Sequence, residues 1–274
     1  MKRIPINGIE LALVDAGAGP AVLLLHAFPL DHRIWDAQIE ALATSYRVIA
    51  PDLRGFGQSE ATGGRVSMSQ FAADLAGLLD ELGVTAPVTL AGLSMGGYIA
   101  LAFWQAYAHR LQALILCDTR AAADPPDVAA GRLATAERVL AEGAEFLAQS
   151  MLPRLLSPHT IQRRPEIVAA LRQVILANDP RGIAAAACGM AVRPDMTAAL
   201  GRIRCPTLVI VGHDDAAAPP SEMRAIAAAI PAARFVEIAD AGHLSSVEKP
   251  VEVSGAMLEF LGHLESSAGA IQPR

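Results

Sequence analysis

Gly92-Leu93-Ser94-Met95-Gly96 places a serine between a β-rich apolar run, Pro87-Val88-Thr89-Leu90-Ala91, and a helix-forming run at residues 98–107. In that context the serine sits on a sharp strand-to-helix turn; its hydroxyl projects above the sheet, and small flanking residues let helix and strand approach closely. A serine hydroxyl is protonated at neutral pH and attacks a carbonyl only when a neighbouring imidazole takes its proton. That imidazole needs a buried carboxylate to fix its tautomer and support its charge. The chain supplies both in order, first Gly212-His213-Asp214-Asp215 and then Ala241-Gly242-His243. Ser94 therefore reads as nucleophile, His243 as general base and Asp215 as the acid. Asp214 and Asp118, the latter after the apolar run at residues 113–117, are the competing carboxylates.

Acyl transfer also needs donors for the oxyanion that forms. One is the backbone N–H of the residue after the nucleophile, Met95, and the helix beginning there adds a favourable dipole end.

The elements that must hold these groups alternate between strand and helix. Residues 9–15, 21–25 and 46–51 read as strands and residues 68–82 as an amphipathic helix stopped by Gly83. Such alternation predicts an α/β fold with a mostly parallel sheet and helices on both faces, and the site then belongs at the carboxyl ends of the strands. Between Arg120 and Gly201 the pattern becomes helical, broken by Pro125-Pro126, Pro153, Pro158, Pro165, Pro180 and Pro194. The expected division is an α/β core at 1–120 and 201–264, a helical insertion at 121–200 and a tail at 265–274. Within the insertion, Phe146, Leu147, Met151, Leu155 and Met190 read mostly as its own core.

At 274 residues with a net charge of −6 and 18% charged residues, the chain has no basic stripe for nucleic acid, and the expected partner is a small molecule. Cys117, Cys188 and Cys205 lie singly in apolar surroundings without zinc or disulfide spacing and read as buried thiols. No H-E-x-x-H or other ligand cluster appears, so neither metal nor cofactor is expected. Met1-Lys2-Arg3 is not followed by a long apolar run, which reads as a cytoplasmic protein. Residues 83–108 carry no charge and mimic a membrane span, but Pro87, Gly92, Gly96 and Gly97 interrupt them, and a buried strand entering a buried helix explains the same hydropathy. No membrane partner is expected; a homo-oligomer stays open.

Four motifs in order, Leu23-Leu24-Leu25-His26-Ala27-Phe28-Pro29, Asp52-Leu53-Arg54-Gly55-Phe56-Gly57-Gln58-Ser59, the serine turn, and the Asp215 and His243 segments, resemble the α/β-hydrolase superfamily over nearly the whole chain. The resemblance implies that the acid lies three positions after Gly212, which selects Asp215 over Asp214; some members place it at the Asp118 position instead. It implies that the insertion is a cap over the pocket. It also implies that the N–H of Phe28 completes the oxyanion hole, although Ala27 stands where the family usually has glycine. Serine at position 94 disfavours the dehalogenase and epoxide-hydrolase branches, which carry aspartate there. Cys117-Asp118-Thr119-Arg120 and the segments at 188–195 and 205–208 look similar to the enol-lactonase-like and small bacterial carboxylesterase branch. The expected function is hydrolysis of a carboxylic ester or lactone through an acyl-Ser94 intermediate. Alternatives are carbon–carbon bond hydrolysis or perhydrolysis on the same triad, and, in another class, a slow-turnover ligand receptor.

Other residues invite structural readings. His26 orders the loop at Phe28, His213 reads as a loop hydrogen-bonding residue, with tuning of the acid as its alternative, and Asp52 and Arg54 hold a tight glycine-rich turn. His32, His109, His159 and His263 read as surface or capping residues, and Trp35 and Trp104 as packing. Arg120 is the candidate substrate-binding residue, a fork of fixed donors suited to a carboxylate on an acidic enol-lactone; the alternative is a surface or cap-anchoring arginine.

Overall fold

Leu23, Leu24 and Leu25 are fully buried, as expected of a strand covered on both faces, and they form the end of a central strand. The computed structural model describes residues 1–269. Its strands are β1 (Lys2–Ile6), β2 (Ile9–Ala16), β3 (Ala21–Leu25), β4 (Arg47–Pro51), β5 (Val88–Leu93), β6 (Leu111–Cys117), β7 (Thr207–Gly212) and β8 (Arg234–Ile238). They form one sheet in the order β1-β2-β4-β3-β5-β6-β7-β8, antiparallel at β1–β2 and β2–β4 and parallel from β4 onward.

Helices α1 (Asp36–Leu42), α2 (Met68–Glu81), α3 (Met95–Tyr107), α4 (Pro126–Glu142), α5 (Glu145–Leu155), α6 (Pro158–Arg163), α7 (Pro165–Ala177), α8 (Pro180–Met190), α9 (Pro220–Ala229), α10 (Ser245–Glu248) and α11 (Pro250–Gly269) complete the chain. Helix α2 packs on α3 and α1 on α11, so that the sheet is covered on both faces. Helices α4 to α8 all fall between β6 and β7 and pack pairwise, α4 on α8 and α5 on α7. The prolines that read as breaks in this interval mostly start helices. Pro126, Pro158, Pro165 and Pro180 stand in first turns, where the missing N–H costs no hydrogen bond and the fixed φ suits the helix.

Two features escaped the sequence reading. The N-terminal strand β1 is joined to β2 by a turn with Asn7 at φ 47° and Gly8 at φ 78°, the geometry of a two-residue hairpin. Pro5 hid it, and is tolerated because β1 is an edge strand. The final helix also continues to Gly269, past the expected end of the core at 264; residues 270–274 of the expected tail lie outside the described residues. Cys117 is buried, whereas Cys188 and Cys205 are partly exposed, and all three thiols are free. Among the described residues, no helix is long and apolar enough to cross a membrane; the uncharged stretch at 83–108 is β5 followed by α3.

The chain moves from β3 out to β4 and then returns to add β5 on the other side of β3. The sheet therefore has its switch point between the carboxyl ends of β3 and β5, the position at which open α/β sheets bind their ligands. Register keeps those ends level, with Leu25 beside Gly92, Leu93 beside Cys117, Cys117 beside Ile210 and Gly212 beside Ile238. Each chemistry-bearing segment leaves the sheet at this edge.

Ser94 itself has φ 55° and ψ −112°, a conformation that strains any residue with a Cβ. Ser94→Gly should therefore be more stable than Ser94→Ala by about 1 kcal/mol, after allowing for the greater freedom of glycine in the unfolded chain. Thermal denaturation of the two variants checks this, and an alanine variant that melts higher would contradict it.

Candidate active site

The turn at Ser94 exists because β5 and α3 can approach without side chains between them. A Cβ on Gly92 would run into the Gly96 carbonyl, and one on Gly96 into the Leu25 carbonyl of β3. The Thr119 hydroxyl donates to the Ser94 carbonyl at 2.7 Å and ties the turn to the end of β6. The Ser94 Oγ then lies 2.8 Å from His243 Nε2.

His243 follows β8, and Asp215 follows β7. The two loops lie against one another because Gly212 leaves room for the carbonyls of Ala241 and Gly242, and the Asp214 N–H donates to the Ala241 carbonyl at 2.8 Å. His243 Nδ1 is 2.8 Å from Asp215 Oδ2. The other carboxylate oxygen of Asp215 accepts the N–H groups of Ala217 and Ala218, each at 2.8 Å. With both oxygens so held, the imidazole keeps its proton on Nδ1 and turns its Nε2 lone pair to the serine hydroxyl. Asp214 is exposed, and the carboxylate at His243 Nδ1 is that of Asp215.

Asp118 is brought to the same place but does different work. It is fully buried at φ 46°, accepts the Gly212 N–H at 2.8 Å on one oxygen, and takes the Ser245 hydroxyl at 2.5 Å on the other. Burial, followed by the charge of neighbouring Asp215, pushes its carboxyl well above the usual carboxylate range. Asp118 thus ties the ends of β6 and β7 to α10, and the imidazole is left to Asp215.

The Phe28 segment leaves β3 beside the serine turn. Neither the Phe28 N–H nor the Met95 N–H is spent on a hydrogen bond to another described residue. Ala27 is not among the residues with positive φ, so its methyl group imposes no strain where the family usually has glycine. His26 is buried beneath this loop, its Nε2 accepting the Leu53 N–H at 2.9 Å and its Nδ1 donating to the Ala27 carbonyl at 3.0 Å. Burial drives its pKa down, which keeps the ring neutral in that tautomer. Phe56 stands edge-on to both His26 and Phe28.

Several outlying residues are accounted for by structure. Arg54 makes a buried two-pronged pair with Asp74, both contacts at 2.7 Å. His213 lies 2.6 Å from Glu237 on the surface. Trp35 and Trp104 are buried in the core. His32 is not the simple surface group expected from the sequence: it is half-buried, with Nδ1 2.6 Å from Asp52 Oδ1. Asp31, His32 and Asp52 offer ligand atoms within 4.8 Å of one another, but those atoms are engaged, the Asp31 carboxylate by Arg33 and the Asp52 carboxylate by His32 and the Gln58 N–H. Arg120 Nη2 donates to Glu222 Oε1 at 3.0 Å. Arg120 also lines a small cavity with Met68, Tyr98, Leu101, Arg193 and Met196, a lining that includes none of Ser94, Asp215 and His243. The pairing with Glu222 ties Arg120 to α9.

Two buried polar residues that the sequence reading did not single out, Asn178 and Glu248, join the helical insertion to the site. No local signal marks them. Asn178 precedes the helix-starting pair Asp179-Pro180 and reads as turn chemistry, and Glu248 follows His243 as an ordinary charged residue.

The fold model of the α/β-hydrolase family matches residues 20–250, and the chain belongs to that family. Among solved structures, a thermophilic esterase from Thermogutta terrifontis superposes with a TM-score of 0.95 at 50% identity, covering 96% of this chain and 99% of its own. The enol-lactonase from Burkholderia xenovorans LB400 superposes at 0.89 with 33% identity, covering 95% and 100%. A 3-oxoadipate enol-lactonase of Acinetobacter baylyi is 30% identical over 247 residues, 90% of this chain and 88% of the relative.

Two outcomes follow from these contacts. Burial alone would lower the His32 pKa, but its hydrogen bond to Asp52 and the Asp52 charge raise it above 6.5. Its stabilising contribution is therefore full below the ordinary histidine range and is lost as pH rises through the raised value. Thermal melts should show wild type losing stability relative to His32→Gln as pH climbs above about 6.5; a gap that widens with pH would contradict the pairing. For Arg120→Met, kcat/KM should change by less than about threefold, and equally, for a neutral aryl ester and a carboxylate-bearing lactone, as expected for loss of a partly exposed ion pair. A tenfold loss confined to the acidic substrate would return Arg120 to the substrate.

Proposed function

We propose that this α/β-hydrolase is a serine hydrolase that cleaves a carboxylic ester or lactone through an acyl-Ser94 intermediate. The observation that carries the reading is the unbroken line of 2.8 Å contacts from Ser94 Oγ to His243 Nε2 and from His243 Nδ1 to Asp215 Oδ2. Identity of 30–50% to an esterase and to enol-lactonases over nearly the whole chain supports the same reaction class.

In the first step Ser94 Oγ bonds to the carbonyl carbon while its proton passes to His243 Nε2. Asp215 supports the resulting imidazolium and does not take the proton. Negative charge moves onto the carbonyl oxygen and is met by the N–H groups of Phe28 and Met95, fixed before the reaction begins. The tetrahedral species collapses as the imidazolium protonates the leaving oxygen. In a lactone that oxygen stays tethered to the acyl group. Water, deprotonated by the same imidazole, then attacks the acyl carbon; the bond to Ser94 Oγ breaks as the imidazolium returns a proton to Oγ, and the carboxylic acid departs.

Ser94→Ala and His243→Ala should each lower kcat by on the order of 10⁵–10⁶ without unfolding the protein, since the triad acts as a unit. Asp215→Asn should lose about 10⁴, because the imidazole remains but its tautomer and charge are unsupported. Asp118→Asn should lose far less. A screen of aryl esters, alkyl esters, lactones and enol-lactones with Ser94→Ala as the blank measures these together; wild-type rates in that variant, or a greater loss in Asp118→Asn than in Asp215→Asn, would remove the assignment. Repeated turnover by the wild type would also exclude the slow ligand receptor.

A further inference from the structure

The helical insertion touches the site through two buried side chains that grip opposite halves of the proposed machinery. Asn178, at the end of α7, is 3% exposed. Its Nδ2 donates to the Pro29 carbonyl at 2.9 Å and the Val174 carbonyl at 3.1 Å, and its Oδ1 accepts the Gly57 N–H at 2.6 Å. Pro29 directly follows Phe28, and Gly57 directly follows the Phe56 ring that stands against Phe28. One amide thus fixes both sides of the Phe28 loop.

Glu248 is also 3% exposed. Its Oε1 accepts the Gly242 N–H and its Oε2 the Ser157 N–H, both at 2.8 Å. Gly242 precedes His243 and packs with no side chain against the Leu156–Ser157 backbone between α5 and α6. On the other side of His243, the Leu244 N–H donates to the Leu155 carbonyl at 3.2 Å. The histidine is therefore held from both flanks by the link between two insertion helices.

We infer that the insertion positions the reacting groups through two separable pins, Asn178 aligning the Phe28 oxyanion donor and Glu248 aligning His243. Both are positioning residues, since neither touches the reacting atoms. The inference rests on the proposed acyl-serine mechanism. The two pins share no hydrogen-bond partner, so each should fail alone. A buried amide or carboxylate that merely satisfied nearby N–H groups would, on removal, loosen the whole region and degrade every step together.

The test compares Asn178→Leu and Glu248→Gln in the full-length protein on an aryl ester and its thionoester, whose sulfur is a poor partner for the oxyanion donors. Asn178→Leu should cut the oxoester-to-thionoester ratio of kcat/KM by roughly tenfold, a fraction of what a lost oxyanion donor costs, with KM within about threefold of wild type. It should leave unmoved the far-downfield proton resonance of His243 Nδ1–H bonded to Asp215. Glu248→Gln keeps one acceptor but turns an NH₂ toward the second N–H. It should lower kcat by roughly tenfold on both substrates alike through misalignment, keep the ratio, and displace that resonance.

If Asn178→Leu does not fold, Asn178→Asp, which retains an acceptor for Gly57 but has no donor for Pro29, carries the same expectation. Both variants altering both readouts together, or neither altering either while melting earlier, would overturn the inference and leave the mechanism standing. Wild-type hydrolysis by Ser94→Ala would overturn both.

Discussion

The site depends on one close approach, that of α3 to the sheet at the end of β5. The chain must reverse within a single residue between strand and helix, and it can do so only because Gly92 and Gly96 leave backbone against backbone. Ser94 absorbs the reversal at φ 55°, and strain of this kind persists only where the surroundings over-determine it. Here they do: the Thr119 hydroxyl holds the Ser94 carbonyl, the Ser94 N–H is bonded to Cys117 of β6, and α3 is buried beneath. The turn delivers a projecting hydroxyl and an unused N–H at Met95 together. Every other part of the site is arranged around where that hydroxyl stands.

The second organising constraint is the burial of carboxylates near one histidine. Asp118 and Asp215 both lie just beyond the ends of adjacent parallel strands, and both are buried. Two nearby buried carboxyls disfavour each other's charge, and the structure resolves the conflict by giving them different partners. Asp215 receives two backbone N–H groups and the imidazole, whereas Asp118 receives Ser245 and Gly212 and is pushed upward by burial and by Asp215. Asp118, the carboxyl that does not reach the imidazole, knots the end of β7 to α10.

Groups tied to local backbone chemistry were legible in the sequence. The serine turn announces itself because only small residues permit it, and the buried parallel strands because both faces must be apolar. The Phe28 loop and the choice of Asp215 came from resemblance; in the structure Asp215 Oδ2 lies 2.8 Å from His243 Nδ1 and the Phe28 loop leaves β3 beside the serine turn. What stayed hidden lies far apart along the chain. Asn178 meets Pro29 across 149 positions, Glu248 meets Ser157 across 91, and His32 meets Asp52 across 20. Their side chains are ordinary until the fold buries them, so no local pattern marks them. The β1 hairpin was missed for the opposite reason, because a proline in a half-exposed edge strand masks a short alternating pattern.

The acyl-serine mechanism requires covalent attachment of the acyl group to Ser94. An aryl carbamate forms a carbamoyl-serine that hydrolyses slowly enough to be caught, so acid quenching during its turnover followed by peptide mass spectrometry reads the intermediate directly. One carbamoyl group per chain is expected, on the peptide containing Ser94 and absent in Ser94→Ala. Release of the aryl alcohol without an adduct, or an adduct on any other residue, would contradict it.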